Sequence, residues 1–213
     1  MRWPRRPQSQ PADTCDANQP PPTELESQLA EAVLSTAKAI RDGWAAATGK
    51  DSMPAEARVI VLVETWWFLL HTVDRIAFGA FGEADRDRLV DALVPSVAAN
   101  LVTSMHHHVH STRGTDYREC PDRVFSTAEA FMDGFNEATF DYGSCSRLAG
   151  DPSAERMTDL RGETVIGKLG ARIARDVGQE HNAMLRLLVL TAAMHALARA
   201  GLQERVLQAC TGT

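Results

Sequence analysis

One stretch of sequence, Val59 to Phe78, constrains the fold of this chain more than any other part of it. It reads VIVLVETWWFLLHTVDRIAF and is apolar on almost every face of a helix. A helix that is hydrophobic all round is a core helix. A carboxylate inside it must be paired, protonated or bound to a metal, because an isolated buried charge costs too much free energy. We therefore expect a central buried helix in which Glu64 has a partner.

The polar side chains of this helix share one region of its surface. At about 100° per residue, His71 and Arg75 lie about 20° to either side of Glu64, and Asp74 lies one turn beyond His71. One interpretation is a buried network that fixes helix packing, in which Asp74 orients His71 and Arg75 pairs with a carboxylate elsewhere. The other is a metal or catalytic site that facing helices complete. The stretch alone leaves both open.

Composition favours an all-α protein. The 213 residues are 44% hydrophobic but only 6% aromatic, and glycine and proline are confined to a few places. A chain of this length can bury a sizeable core, and we expect a single helical bundle of five to seven helices. A net charge of -6 without a basic stripe argues against a nucleic-acid partner. The closest approach to a membrane span, Leu185 to Leu197, is too short to cross a bilayer, so we predict a soluble, cytoplasmic protein with no membrane partner.

The chain divides into a leader and a helical domain. Residues 1–22 contain six of the ten prolines, and such a composition buries too little apolar surface to fold. We predict a disordered leader over 1–22 and an all-helical domain over 23–213. The four cysteines are scattered without a C-x-x-C motif, which indicates free thiols rather than a zinc ribbon.

Several local patterns predict where helices begin and end. Thr23 with Glu26, and Ser126 with Glu129, have the spacing of capping boxes at helix starts. Proline is tolerated in the first turn of a helix and disrupts its interior. Pro54 therefore suits the start of the central helix, and Pro95 should kink or restart a later one. Helical periodicity continues from about residue 153 to residue 200, as one helix or as two joined at Gly178, and Gly201 fits a C-cap.

Small residues recur at every fourth position within that last region. Gly170, Ala174 and Gly178 would lie along one helix face and leave a shallow groove. Another backbone can approach such a face closely. We expect a partner helix there, either from the same chain or from a second copy in a homo-oligomer.

A divalent metal site is the chemistry most worth testing in such a bundle. Ferritin-like di-metal sites use Glu-x-x-His on two helices, and no histidine here follows that pattern. A variant site remains open, with Glu64 and His71 as ligands and further donors from other helices. The candidate donors are Glu137, Asp141, Glu180 and His181. In that site Asp74 would orient His71, and Arg75 would bind an anionic substrate group.

Two functions follow from these patterns. The first is a binding or assembly module whose buried polar network organises a helix-lined pocket or an oligomer interface. The alternative is a metal-dependent enzyme with a variant carboxylate and histidine site. A helix-turn-helix regulator is disfavoured, because the first fifty or so residues lack a compact basic three-helix unit. The sequence offers no nucleophile that can be named.

Overall fold

The computed structural model describes residues 23–48, 54–110, 127–145, 147–148 and 163–211. Within these ranges the chain forms seven helices and no strand, apart from an isolated bridge between Arg147 and Thr164. In chain order the helices are α1 (Glu24–Thr48), α2 (Ala55–Phe81), α3 (Glu83–His110), α4 (Ala128–Gly143), α5 (Val165–Asp176), α6 (Ala183–Ala200) and α7 (Leu202–Thr211). The predicted all-α bundle is confirmed. The predicted leader, 1–22, lies outside the described residues.

Helix α2 is the centre of the bundle, as the sequence predicts. It packs against α1, α3, α4, α5 and α7. Every residue from Val59 to Asp74 is buried, on all sides of the helix. Each large apolar side chain buried in this way stabilises the fold by roughly 1.5–3 kcal/mol. Five of the other six described helices therefore bury apolar surface against α2.

The starts of α1 and α4 depend on side-chain caps. The Thr23 N–H donates to Glu26 Oε2 at 2.7 Å, and the Glu26 N–H donates to Thr23 Oγ1 at 3.2 Å. This reciprocal pair confirms the first capping box. At α4 the cap is Thr127, whose hydroxyl accepts from the Ala130 N–H at 3.2 Å. The predicted cap, Ser126, is one residue earlier and lies outside the described residues.

Glycine ends two of the helices, and a proline fails to interrupt a third. Gly82 follows α2 with φ 84°, and its N–H donates to Phe78 O at 3.0 Å. Gly201 follows α6 in the left-handed conformation, with φ 57°, which confirms the predicted C-cap. Helix α3 continues through Pro95 as one element, so the predicted restart does not occur there.

The region before Gly201 contains two helices rather than one. Helices α5 and α6 are separated at Gly178, which has φ 71°. A Cβ at Gly170 would lie 3.3 Å from Arg186 O and 3.6 Å from Arg186 Cα. The backbone of α6 therefore occupies the Gly170 end of the groove predicted along Gly170, Ala174 and Gly178. Self-association through that face stays a prediction.

Helix α6 lies on one side of the bundle and packs mainly against α1 and α5. Among the described helices it alone has the length and composition to cross a membrane, with a mean hydropathy of 1.4 over 18 residues. Buried helices of water-soluble proteins share such length and composition. Only 28% of this window is buried, however. Much of an apolar helix is therefore at the surface.

Candidate functional site

The partner of Glu64 is Arg172, 108 positions later in the sequence. Glu64 is 1% exposed and Arg172 is 5% exposed. The Arg172 Nε donates to Glu64 Oε2 at 2.6 Å, and Nη2 donates to Glu64 Oε1 at 3.0 Å. Two parallel hydrogen bonds of this kind are the strongest arrangement between a guanidinium and a carboxylate. The prediction that Glu64 is buried and paired is therefore confirmed.

The Arg172 guanidinium joins three helices. Besides Glu64 of α2, it donates through Nη1 to the Asp141 carboxylate of α4. Its central carbon lies 5.7 Å from the ring centroid of Tyr142 and 5.9 Å from that of Trp67. Cations over aromatic faces are attracted to the ring quadrupole, more strongly where water is excluded. One side chain of α5 thus fixes the relative positions of α2, α4 and α5.

The charges of this pair depend on each other. Burial alone lowers the pKa of Arg172, but the hydrogen bond and the charge of Glu64 outweigh it and raise that pKa above its ordinary value. Burial raises the pKa of Glu64, and Arg172 opposes the rise. The Tyr142 phenol is also fully buried, and burial followed by the Glu64 charge raises its pKa, so it stays protonated.

His71 occupies a neighbouring part of the same buried region. Its ring stacks on that of Tyr142, with centroids 5.5 Å apart and planes inclined by 26°. The Arg75 Nε donates to His71 Nε2 at 3.2 Å, so that ring nitrogen accepts and the imidazole is neutral. Burial, followed by the charges of Arg75 and Arg86, lowers the pKa of His71 to about 3. Two cations near a buried ring make its protonation costly.

This neutral histidine predicts a specific dependence of stability on pH. The pKa of His71 falls from 6.5 in the unfolded chain to about 3 in the fold. The stability that depends on the neutral ring is therefore complete above pH 6.5 and is lost as the pH falls towards 3. Between about pH 6.5 and pH 5, His71 should lower the free energy of unfolding by up to about 1.4 kcal/mol per pH unit. Urea unfolding of the native chain and of His71→Gln measures this contribution as the difference between the two slopes of unfolding free energy against pH.

The other histidines contribute equally to the slopes of the two chains, because both chains retain them, so the difference in slope reports His71. NMR of the His71 ring gives a second readout: its resonances should not move between about pH 8 and pH 5. A midpoint near 6.5 for His71, or equal slopes for the two chains, would contradict the structure.

Asp74 has another partner than the sequence predicts, and Arg75 binds backbone carbonyl groups. Asp74 pairs with Arg86 of α3, with Arg86 Nε 2.5 Å from Asp74 Oδ1, and burial raises its pKa against the influence of Arg86. In the part of the chain that the structure describes, Asp74 makes no hydrogen bond to His71, and the ion pair with Arg86 takes the place of the expected orienting role. Arg75 donates to the carbonyl oxygens of Tyr142, at 3.4 Å, and Cys145. It therefore satisfies carbonyls at the C-terminal end of α4, where a cation is favoured.

The remaining candidate ligands are not gathered at Glu64. Glu137 and His181 are exposed, whereas Asp141 is partly buried and bound to Arg172. In the described part of the chain, no group of three or more His, Cys, Asp and Glu side chains is placed to hold a metal ion. Both oxygens of Glu64 already accept from Arg172. A metal at Glu64 stays a prediction, and the ion would have to displace the guanidinium.

Sequence reasoning missed three members of this network, Arg172, Arg86 and Tyr142. A signal for Arg172 was present: it lies three residues after Leu169 and one before Ile173. Both of those side chains are fully buried. An arginine on the apolar stripe of a helix needs a buried anion, as Glu64 needs a buried cation. For Arg86 the signal was weaker, an arginine twelve positions after Asp74 and across the turn at Gly82.

Comparison with known proteins identifies no relative: no family model, curated protein or solved structure matches the chain. Glu64 and Arg172 are engaged with each other, and His71 is held neutral between Arg75 and Tyr142. Each of these groups therefore has a partner inside the protein.

Proposed function

We propose that this chain is an assembly module, a helical scaffold with a fixed core that pairs with a second copy of itself through α6. The proposal rests on one observation above all: α6 has the length and mean hydropathy of a helix that could cross a membrane, yet only 28% of it is buried. Monomeric proteins rarely leave a large contiguous apolar surface in water. A second copy would remove that surface from solvent.

The exposed surface of α6 has the spacing of a helix-pairing seam. We call it the α6 ridge, and it is the row Met184, Leu187, Thr191, Met194 and Ala198; Leu187 is half-buried, the other four are exposed, and the exposed His195 lies beside the row. These positions are separated by three and four residues in alternation, as in helices that pair side by side. Met184 is 63% exposed and Met194 is 43% exposed. Between Arg186 and Arg199 the helix has no charged residue, although charge is usual where a helix faces water.

A groove beside the ridge could receive the ridge of a second copy. The groove runs between α1 and α6, has a volume of about 440 Å³, and is lined by small side chains together with polar ones that include Thr36, His195 and Arg199. Its lining includes Ala39, Gly43, Ala47, Leu188, Ala192 and Ala196. Small residues allow helix axes to approach to about 8 Å. The groove therefore has room for the side chains of another helix.

Ridge and groove lie next to each other on one face, which is what a two-fold pair needs. In such a pair the same patch is used by both copies and must be complementary to itself. Rotation by half a turn places the ridge of each copy against the groove of the other. The result is four helices in contact, α1 and α6 from both copies. This self-complementarity is why we choose a second copy over an unrelated protein.

The buried ion pair contributes to assembly by fixing α5. Arg172 anchors α5 to α2 and α4, and α6 packs on α5, with the Arg186 backbone against Gly170. The orientation of α6 on the bundle therefore depends on α5. Buried polar groups confer such specificity in some proteins, and we assign that role to Glu64 and Arg172 here.

Replacing Met194 with glutamate should separate the copies. The native chain is expected to show the mass of a dimer in light scattering, and Met194→Glu that of a monomer at the same concentration. Burying an unpaired carboxylate in an interface costs several kcal/mol, which weakens pairing by roughly 10²–10³-fold. Circular dichroism checks that the variant is folded.

The matched control is Phe140→Glu, the same kind of change at a side chain that is 82% exposed on α4, a helix that packs mainly on α2, α3 and α5. It should leave the mass of the dimer unchanged. A native chain that is monomeric at every concentration would overturn the proposal. A monomer that sediments with phosphatidylcholine vesicles, and no longer does so after Met194→Glu, would assign the ridge to a lipid surface instead.

A further inference from the structure

We propose that residues 2–6 of the leader bind an acidic and aromatic face of α4 in the same molecule. We call this surface the α4 face, and its members are Asp133, Glu137 and Phe140. The leader and the α4 face are complementary in charge, and the leader is long enough to reach it. The contact is separate from the pairing through α6 and does not depend on it.

The α4 face combines two acids with the most exposed aromatic side chain of the described residues. Phe140 is 82% exposed, and Glu137 and Asp133, one and two turns before it, are exposed as well. Positions separated by three and four residues lie on one side of a helix. Helix α4 contains no lysine or arginine, so its own sequence supplies no cation to balance these acids. A phenyl ring beside carboxylates suits a segment that carries both cations and an aromatic ring.

The start of the leader has this composition. Residues 2–6 read RWPRR, with three arginines around Trp3, and the first acid of the chain is Asp13. Arginine binds carboxylates through paired donors and also stacks on aromatic rings. Trp3 and Phe140 would form an aromatic pair. Pro4 fixes one backbone angle, which lowers the conformational entropy that residues 2–6 lose on binding.

A series of contacts places the start of α1 at the same end of the bundle as the end of α4. Glu26, in the first turn of α1, lies 3.5 Å from Arg88 near the start of α3. Helix α3 begins two residues after α2 ends. In the last two turns of α2, Arg75 donates to the carbonyl oxygen of Cys145, two residues beyond α4. The leader therefore joins the bundle at the end where Phe140 lies, in the last turn of α4.

The leader is long enough to cover the remaining distance. Arg6 and Thr23 are seventeen positions apart, and an extended chain of that length spans more than about 50 Å. A bundle of this size is only about 40 Å across. The five prolines in residues 7–22 favour an extended connection. Because the leader is attached to the bundle, the effective concentration of residues 2–6 at α4 is roughly millimolar.

Cross-linking in the full chain tests the contact. Arg5→Lys keeps the charge and supplies an amine that a carbodiimide joins to a neighbouring carboxylate. Mass spectrometry of the digested protein should find this amine joined to Glu137 or Asp133 several-fold more often than to Glu83 or Asp85. Those two exposed acids lie at the start of α3, at the same end of the bundle. A leader without a preferred site would join them at least as often.

Fluorescence quenching tests the aromatic part of the contact. Three of the four tryptophans are buried, namely Trp44, Trp66 and Trp67. Acrylamide therefore quenches mainly Trp3. Phe140→Ala should weaken binding of the leader by about 2–10-fold, the range that an aromatic pair supplies, and make Trp3 easier to quench. Met184→Ala, at an exposed apolar side chain of α6, is the control and should leave the quenching unchanged.

The results decide between a bound leader and a free one. Preferential links to α4 that decrease at high salt, together with protection of Trp3 that requires Phe140, support the proposal. Equal linking to the start of α3, or equal quenching of Trp3 in the native chain and in Phe140→Ala, would overturn it. Mixing isotopically labelled and unlabelled chains adds one more check. Links between the two kinds of chain would place the leader on a second copy and contradict binding within one molecule.

Discussion

Arg172→Met lowers the free energy of unfolding by about 3–5 kcal/mol, the cost expected when one member of a buried ion pair is removed. This loss of unfolding free energy exceeds that of a typical single substitution, because Glu64 is 1% exposed and water cannot replace the lost hydrogen bonds. Asp141 loses its contact with the guanidinium as well. Denaturant unfolding followed by circular dichroism measures the change. Arg175→Met is the matched control: it lies on the same helix, its side chain is 51% exposed, and its loss should cost no more than about 1 kcal/mol.

The size of this effect should depend on pH. Burial raises the pKa of Glu64 above its ordinary 4.5, and Arg172 is the group that opposes the rise. Without Arg172 the folded pKa climbs further, so the carboxyl is protonated in the fold at a pH where it is ionised in the unfolded chain. Stability of the variant then falls as the pH rises from 4.5 through the folded pKa. The difference from the native chain should be smaller at about pH 5 than at about pH 8, and a loss of under about 1 kcal/mol at both would contradict the pairing.

Gly134→Ala destabilises the chain by about 1–3 kcal/mol, although alanine is the better helix former. Gly134 lies in α4 against the indole of Trp67 in α2. A Cβ there would lie 2.9 Å from Trp67 Cη2 and closer still to Cζ2. Both atoms belong to a rigid ring, so the backbone of α4 or the whole indole has to move. The expected result is a lower denaturation midpoint without loss of helical signal.

Two further variants test the cause of this loss. Gly79→Ala, in α2, meets no atom within 4 Å and should stabilise the chain by about 0.5–1 kcal/mol. Trp67→Phe removes the part of the indole that blocks the Cβ, so Gly134→Ala should cost less in that background. A stabilising Gly134→Ala, matching Gly79→Ala, would mean that α2 and α4 do not approach each other this closely.

Much of the fold followed from the sequence because its signals are local. The all-round apolar character of Val59 to Phe78 identified the central helix, and a buried carboxylate in it implied a partner. The reciprocal hydrogen bonds of Thr23 and Glu26 and the left-handed Gly201 depend on a few neighbouring residues. Such patterns can be read without knowledge of the tertiary structure.

The identity of each partner could not be predicted in the same way. Glu64 and Arg172 are separated by 108 positions, and nothing local joins them. Asp74 was predicted to orient His71 because the two are one turn apart on α2. In the structure it instead forms an ion pair with Arg86, whose Nε lies 2.5 Å from Asp74 Oδ1. An ion pair is a stronger partner for a buried carboxylate than a neutral imidazole. The packing of α3 on α2 decided that contact.

The most direct single measurement is the coupling energy between Glu64 and Arg172 in a double-mutant cycle. Unfolding free energies are needed for the native chain, Glu64→Gln, Arg172→Met and the double variant. A buried, doubly hydrogen-bonded pair predicts that the double variant is more stable than the sum of the single losses implies, by about 2–3 kcal/mol. A coupling energy below about 0.5 kcal/mol would mean that the two side chains do not meet in the core.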